Sequence, residues 1–171
     1  AGELVQQLVS ARTEFVLGDP GDARLGEIAE RVPGLRAEVA PRFDSLPNVY
    51  DRASDDDCDG AATLAVLYTS GTSGSPKGAC LTWDNFVASA RAAEERLGSA
   101  VGARWLACMP LFHVGGLSIL VRSVLFGGPA RLQSRFDPAA VSEALDAGDV
   151  VGLSLVPTML ARVLDARPDW T

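Results

Sequence analysis

The stretch Leu67–Gly78, Leu-Tyr-Thr-Ser-Gly-Thr-Ser-Gly-Ser-Pro-Lys-Gly, constrains this chain more than any other. It follows Thr63-Leu-Ala-Val-Leu-Tyr68, an apolar run that reads as a buried strand. Gly71, Gly74 and Gly78 are then interspersed with Thr69, Ser70, Thr72, Ser73 and Ser75. Glycines let a backbone turn through positive φ and bring its N–H groups close to a ligand. Successive N–H groups, with hydroxyls beside them, make an anion-binding concavity. Lys77 adds a point charge for a phosphate oxygen, and it is the only lysine among 15 basic residues. The expected function of the stretch is to grip a polyphosphate. It is not a P-loop of the Gly-Lys-Ser/Thr kind, because Pro76 precedes Lys77 and Gly78 follows it. The plain alternative is a flexible Gly/Ser turn with no ligand.

Composition narrows the setting. The 171 residues are 47% hydrophobic and 22% charged, enough for one core-bearing domain. The net charge of −7 argues against nucleic acid and anionic membranes as partners, which need a basic face. Cys58, Cys80 and Cys108 are scattered, with neither disulfide-framework nor zinc spacing, and a reducing cytoplasm is the expected setting. No signal-peptide pattern opens the chain, and its longest apolar run is far short of the ~20 residues that span a bilayer. Asp51, Asp55, Asp56, Asp57 and Asp59 crowd one connector. They lack the alternating ligands and distal Glu of a calcium loop, so a solvated acidic loop is expected and no metal ligand is assigned.

Strand and helix signals alternate along the chain. Leu4, Val5, Leu8 and Val9 mark a helix, Glu14–Leu17 a strand, Ala23–Val32 a helix and Leu35–Val39 a further strand. Gly18-Asp-Pro-Gly21 reads as a turn. Thr82 is the expected N-cap of a helix over Trp83–Leu97, with Trp83, Phe86, Val87, Ala90 and Leu97 as its apolar stripe and Gly98 as its stop. A strand is expected at Trp105–Cys108, a helix from about Leu117 to Phe126 opened by Gly115-Gly116, and a strand at Ala130–Gln133. A helix follows from Asp137-Pro138 to Ala147, then a strand at Val150–Leu155. Pro157 opens the last helix, with Leu160, Val163 and Leu164 turned inward. This order predicts an α/β layered fold with a largely parallel sheet flanked by helices. Ligands in such sheets sit beyond the carboxyl ends of the strands. Loops 69–78, 109–116 and 154–157 all follow strands and are expected to converge on one cleft.

Tyr68-Thr-Ser-Gly-Thr-Ser-Gly-Ser-Pro-Lys-Gly78 resembles the signature loop of the AMP-forming adenylating enzymes, which include acyl- and aryl-CoA synthetases, luciferases and peptide-synthetase adenylation domains. Met109-Pro-Leu-Phe-His-Val-Gly-Gly116 is similar to that family's second motif, and it holds His113, the only histidine. Without the motif, His113 would read as a half-buried histidine satisfied by backbone. The run Trp105–Gly127, with Gly116-Leu-Ser-Ile119 and Arg122-Ser-Val, resembles the o-succinylbenzoate-CoA ligases of menaquinone synthesis more than the fatty acyl-CoA ligases. Ser154-Leu-Val-Pro-Thr158 is similar to the next pocket-forming stretch. Gly115 departs from the pattern, since many relatives carry serine there. The likeness covers the chain from about Leu64 onward and the first sixty residues only loosely.

Arg122 also stands out physically. It is the only charge between His113 and Arg131, on an otherwise apolar helix. A buried unpaired guanidinium is costly, so a carboxylate partner is expected. It can come from a substrate or from a protein Asp or Glu, and the sequence leaves both open.

The resemblance implies a reaction and a set of roles. A carboxylate attacks the α-phosphorus of ATP and expels pyrophosphate, and coenzyme A then displaces AMP from the acyl-adenylate. Thr69, Ser70, Gly71, Thr72, Ser73, Gly74 and Lys77 would hold the β and γ phosphates. His113 and Lys77 would be the catalytic pair. His113, Gly115, Gly116, Arg122 and Ser154 would border the acyl group. Mg²⁺ would accompany ATP, held by no residue of this chain. The resemblance also implies that 1–171 is a single partial N-terminal domain. The Tyr-Gly-x-Thr-Glu segment, the ribose-binding aspartate and the C-terminal domain are missing, so the isolated chain is expected to be inactive. The alternatives are another acyl- or aryl-CoA synthetase, or a non-catalytic nucleotide-binding fragment. Oligomeric state stays open, a homo-oligomer among the options.

Overall fold

The strand–helix alternation is realised in the computed structural model as two units, one built from Ala1–Asp59 and Tyr68–Ala79, the other from Gly60–Leu67 and Cys80–Thr171. The structure describes residues 2–18, 22–39, 59–69, 76–98 and 103–170. The turn expected at Gly18-Asp-Pro-Gly21 and the aspartates at 51–57 fall wholly or mostly outside these residues.

In the first unit, α1 (Gly2–Ser10) precedes a β–α–β segment made of β1 (Phe15–Gly18), α2 (Arg24–Arg31) and β2 (Arg36–Val39). β1 and β2 pair in parallel, Phe15 opposite Arg36 and Val16 opposite Ala37. Ile28, Val32 and Leu35 are the buried centre, and Val5, Leu8 and Val16 pack against it. α1 therefore shows the core one narrow stripe, while Leu4 and Val9 stay exposed. α2 has no side-chain cap at Ala23. Asp22 serves its first turn instead, accepting from the Arg24 N–H at 3.0 Å.

β3 (Thr63–Thr69) and β4 (Lys77–Thr82) form a two-stranded sheet of their own. The sequence predicts that β3 is buried, and this is corrected: Leu64 is 47% and Val66 37% exposed. An apolar run shows that a strand suits a core. It does not show that a covering layer lies within these residues.

The second unit is a layered sandwich. β5 (Trp105–Ala107) lies between β6 (Ala130–Leu132) and β7 (Gly152–Leu153), all parallel. α4 (Val114–Phe126) packs on β5 and β6, and α3 (Trp83–Leu97) packs on α4. Leu106 and Cys108 point away from α4 into a core with Val141 and Ala144 of α5 (Pro138–Asp146) and Val163 of α6 (Pro157–Ala166). Alternation along β5 then puts Trp105 and Ala107 on the α4 side. Asp149, before β7, pairs with Arg104 at 2.6 Å and Arg131 at 3.3 Å, linking the segments of all three strands. A short 3₁₀ turn at Pro168–Trp170 is tied to α5 through Arg167 and Asp146.

Helix boundaries follow local chemistry. Thr82 caps α3, its hydroxyl accepting from the Asn85 N–H while the Asn85 side chain accepts from the Thr82 N–H. Gly98 and Gly127 end α3 and α4 in the left-handed region at φ 62° and 63°. Asp137 caps α5, accepting from the Ala139 N–H at 3.0 Å, with Pro138 in the first turn.

Three expectations need correction here. α4 starts at Val114, not about Leu117, because the His113 carbonyl accepts from both the Gly116 and Leu117 N–H groups at 3.0 Å. β7 is two residues rather than six, since it pairs with β5 only at Trp105–Gly152 and Leu106–Leu153. Leu160 and Leu97 are exposed, so the buried faces of α6 and α3 are narrower than their apolar stripes.

Candidate active site

The glycine-rich stretch expected to grip a polyphosphate is described only at its two ends. Ser70, Gly71, Thr72, Ser73 and Gly74 lie outside the described residues. Thr69 is the last residue of β3 and Lys77 the first of β4. The Thr69 hydroxyl donates to the Lys77 carbonyl at 3.4 Å, so the loop leaves and returns at a closed neck. Lys77 is exposed and makes no ion pair among the described residues.

The other expected site residues lie in the second unit. β5 and β7 are parallel neighbours, so the loop carrying His113 and the segment opening with Ser154 leave by the same edge of the sheet. That is the carboxyl edge, where such folds bind ligands. Ser154 is half-buried directly after β7. His113 is exposed at the N-cap of α4 in extended conformation, φ −106° and ψ 143°. Its N–H donates to the Pro110 carbonyl at 3.1 Å, and its ring lies 4.5 Å from that of Phe112. The imidazole is held from one side and open on the other.

Gly115 and Gly116 sit inside the first turn of α4. A Cβ at Gly116 would come within 2.7 Å of the Met109 carbonyl and closer still to that of Pro110. Glycine here lets the loop fold down onto the helix. A Cβ at Gly115 would meet only the tip of the Met109 side chain, at 3.0–3.2 Å. The space beside Gly115 is therefore filled by a flexible thioether that can move.

Arg122 is half-buried, and burial pushes its guanidinium below the usual value. It makes no ion pair with a carboxylate among the described residues. Its charge lies instead over the Trp105 indole, 4.2 Å from the ring centroid. Gly115, fully buried Ile119 and Arg122 are spaced i, i+4, i+7 and share one stripe of α4. Gly115 and Arg122 are then two turns apart, ~10.5 Å along the axis.

A cavity of about 640 Å³ opens at the same carboxyl edge, between the exits of β5 and β6. Met109, Phe112, Gln133, Phe136 and Met159 line it, but neither His113 nor Arg122 does. Among the described residues the buried Gln133 Oε1 has no hydrogen-bond partner. Sequence reasoning missed this wall and missed Trp105. The signal for the wall was present: Gln133–Phe136 directly follows a strand parallel to β5, so it had to leave by the same edge.

A family description, AMP-binding enzyme, matches residues 2–170. The chain belongs to the AMP-binding enzyme family. Among curated relatives, 2-succinylbenzoate–CoA ligase of Geobacillus kaustophilus is 39% identical over 160 residues, which is 89% of this chain and 32% of that protein. The corresponding ligase of Enterococcus faecalis is 34% identical, over 98% of this chain and 33% of its own length. The chain thus spans about a third of the length of the curated relatives it matches. Among solved structures, o-succinylbenzoate CoA synthetase of Bacillus subtilis with its acyl-adenylate intermediate superposes at a TM-score of 0.77. The identity is 31%, covering 96% of this chain and 42% of that one. The same Bacillus enzyme with ATP and magnesium ion gives 0.79, covering 96% and 34%. Within this AMP-binding enzyme the α/β fold is shared with those synthetases, and the expected family is the observed one.

Proposed function

We propose that the intact protein activates an aromatic dicarboxylic acid of the succinylbenzoate type, first as an acyl-adenylate with ATP and then as a thioester of coenzyme A. The observation that carries this reading is Arg122: a half-buried guanidinium on the α4 stripe, with no protein carboxylate paired to it among the described residues. Likeness to 2-succinylbenzoate–CoA ligases supports it.

In the first step a carboxylate oxygen of the acid bonds to the α-phosphorus of ATP, and the bond to the pyrophosphate oxygen breaks. Negative charge moves onto the leaving group, which Lys77 and the loop Thr69–Gly74 stabilise by charge and by N–H and hydroxyl donors. His113 orients the attacking carboxylate from the N-cap of α4. Arg122 holds the second carboxylate two turns down the helix. Gly115 and Ser154 border the acyl group, and Gly116 keeps the His113 loop seated on the helix. In the second step the coenzyme A thiolate attacks the acyl carbonyl and AMP leaves. Magnesium enters with ATP as part of the substrate. Among the described residues no group of three or more His, Cys, Asp or Glu side chains comes together to bind an ion.

A second reading is favoured by Trp105. Because the guanidinium already has an aromatic partner, the pocket could serve a monocarboxylic aryl or acyl group, with Arg122 as part of its wall. ATP–pyrophosphate exchange by the intact gene product separates the two. Exchange driven by 2-succinylbenzoate well above that driven by benzoate is expected. Equal exchange with both acids would favour the second reading, and none with either would overturn the first.

The expected cytoplasmic setting belongs to the same proposal. No helix among the described residues is long and apolar enough to cross a membrane.

A further inference from the structure

Trp105 opens β5, and its partner in register on β7 is Gly152. A Cβ at Gly152 would stand 2.9–3.0 Å from three carbons of the Trp105 ring. No real side chain could sit there with the ring in place. The indole therefore lies flat across a gap that glycine leaves in the neighbouring strand. The Arg122 guanidinium also lies over this ring, 4.2 Å from the centroid. Gly152 of the sheet and Arg122 of α4 thus meet at one indole.

We infer that Trp105 is a positioning residue that holds Arg122 ready for the second carboxylate of the acid. This rests on the role given to Arg122 above. An indole face attracts a cation through its quadrupole without neutralising it. A guanidinium held over an aromatic ring has given none of its N–H donors to a carboxylate, and its planar fork matches a carboxylate two donors at a time. A protein carboxylate in that place would occupy the same fork. The indole thus orders a long, rotamer-rich side chain before substrate arrives and leaves its charge and donors available. Pre-ordering of this kind is realised as tighter binding. Trp105 touches no reacting atom, so its effect must appear in the binding of the dicarboxylate and not in the chemical step.

The test uses the intact gene product with 2-succinylbenzoate and benzoate as paired acids, comparing kcat and KM for each. Trp105→Leu removes the π face while keeping an apolar side chain. It is expected to raise KM for 2-succinylbenzoate about tenfold, the scale of a partly desolvated cation–π contact. KM for benzoate and both kcat values should stay within about twofold. Trp105→Phe, with a weaker π face, should give a smaller loss with the same selectivity. If Trp105→Leu does not fold, Trp105→Phe and Trp105→Tyr carry the test by that selectivity. Losses shared equally by the two acids, or no loss for either, would overturn the positioning role. Arg122→Ala runs alongside. If it is selective for the dicarboxylate while the Trp105 variants are not, only the role of Trp105 falls. If Arg122→Ala is itself unselective, the reading of Arg122 falls and the positioning role with it.

Discussion

The Tyr68 hydroxyl donates to the Gln7 carbonyl at 2.8 Å, joining residues 61 apart in sequence. The same hydroxyl meets Ser10 Oγ. Tyr68 is the residue before Thr69, where the glycine-rich stretch proposed to hold phosphate leaves β3. The C-terminal turn of α1 therefore anchors the strand end that presents the loop. Tyr68→Phe should cost about 1 kcal/mol, the usual net worth of a part-buried hydrogen bond. It should also raise KM for ATP more than it changes kcat, because it loosens the neck of the loop and removes no phosphate donor. Urea unfolding and ATP kinetics of the intact protein check both. An unchanged KM with the stability loss present would confine Tyr68 to folding.

Lys77 has the opposite profile. It is exposed at the start of β4 with no ion pair among the described residues, so its removal should change stability by less than ~0.5 kcal/mol. In the proposed reaction its charge would matter most as pyrophosphate leaves, and interactions stronger in the transition state than in the ground state act on the rate. Lys77→Ala should lower ATP–pyrophosphate exchange about a hundredfold, the scale of losing one preorganised electrostatic donor. Full exchange in this variant would end the phosphate role of Lys77.

Much of the architecture was legible because its signals are local. Thr82, Asn85 and Gly98 bound α3 by capping chemistry within a few residues, and Asp137-Pro138 does the same for α5. The parallel sheet followed from the order of elements. What stayed hidden depends on partners distant in sequence. Leu64 and Val66 look like core and are exposed, since periodicity does not say which strands are covered. Gly115 and Gly116 read as the opening of a helix, yet they lie within its first turn. The carbonyls of Met109 and Pro110 that demand glycine approach only once the loop has closed. Arg122 was read as a charge in want of a carboxylate. Its indole partner lies 17 residues back on another element, where no spacing rule reaches. The wall around Gln133 was within reach of the rule that parallel strands share an exit edge.

Asp22 makes acid stability testable. The Arg24 side chain reaches its carboxylate at 2.9 and 2.7 Å, and with the Arg24 N–H this holds the carboxyl at about 2 instead of 3.8. A carboxyl lowered on folding stabilises the folded state at pH above its unfolded value, and that contribution is lost as pH falls through the folded one. Asp22→Asn should therefore lower the thermal midpoint at about pH 5 to 7, above both values. The difference from the parent should shrink below about pH 4 and vanish near pH 2. Arg24 is exposed and the pair solvent-screened, so the effect should be small. A difference constant across this range would show that the charge of Asp22 does not act on stability.

Gly115 and Gly116 are adjacent and make opposite predictions. Beside Gly116 stand the backbone carbonyls of Met109 and Pro110, fixed by the turn that delivers His113. A methyl there cannot be absorbed by a rotamer change, so the loop must lift from the helix. Gly116→Ala should cost about 1–3 kcal/mol, the range for overpacking a tight contact. It should also lower kcat, because His113 sits on the displaced turn. Beside Gly115 stands only the end of the Met109 side chain. Met109 can swing away, and alanine gains about 0.5–1 kcal/mol over glycine in a helix. Gly115→Ala should therefore leave stability unchanged or slightly raised, with its effect confined to KM for the acid. Denaturant unfolding of both variants, with kinetics on 2-succinylbenzoate, checks the contrast. Equal stability losses at the two positions would mean that Met109 is held as firmly as the backbone, and that the space beside Gly115 is closed to an acyl group.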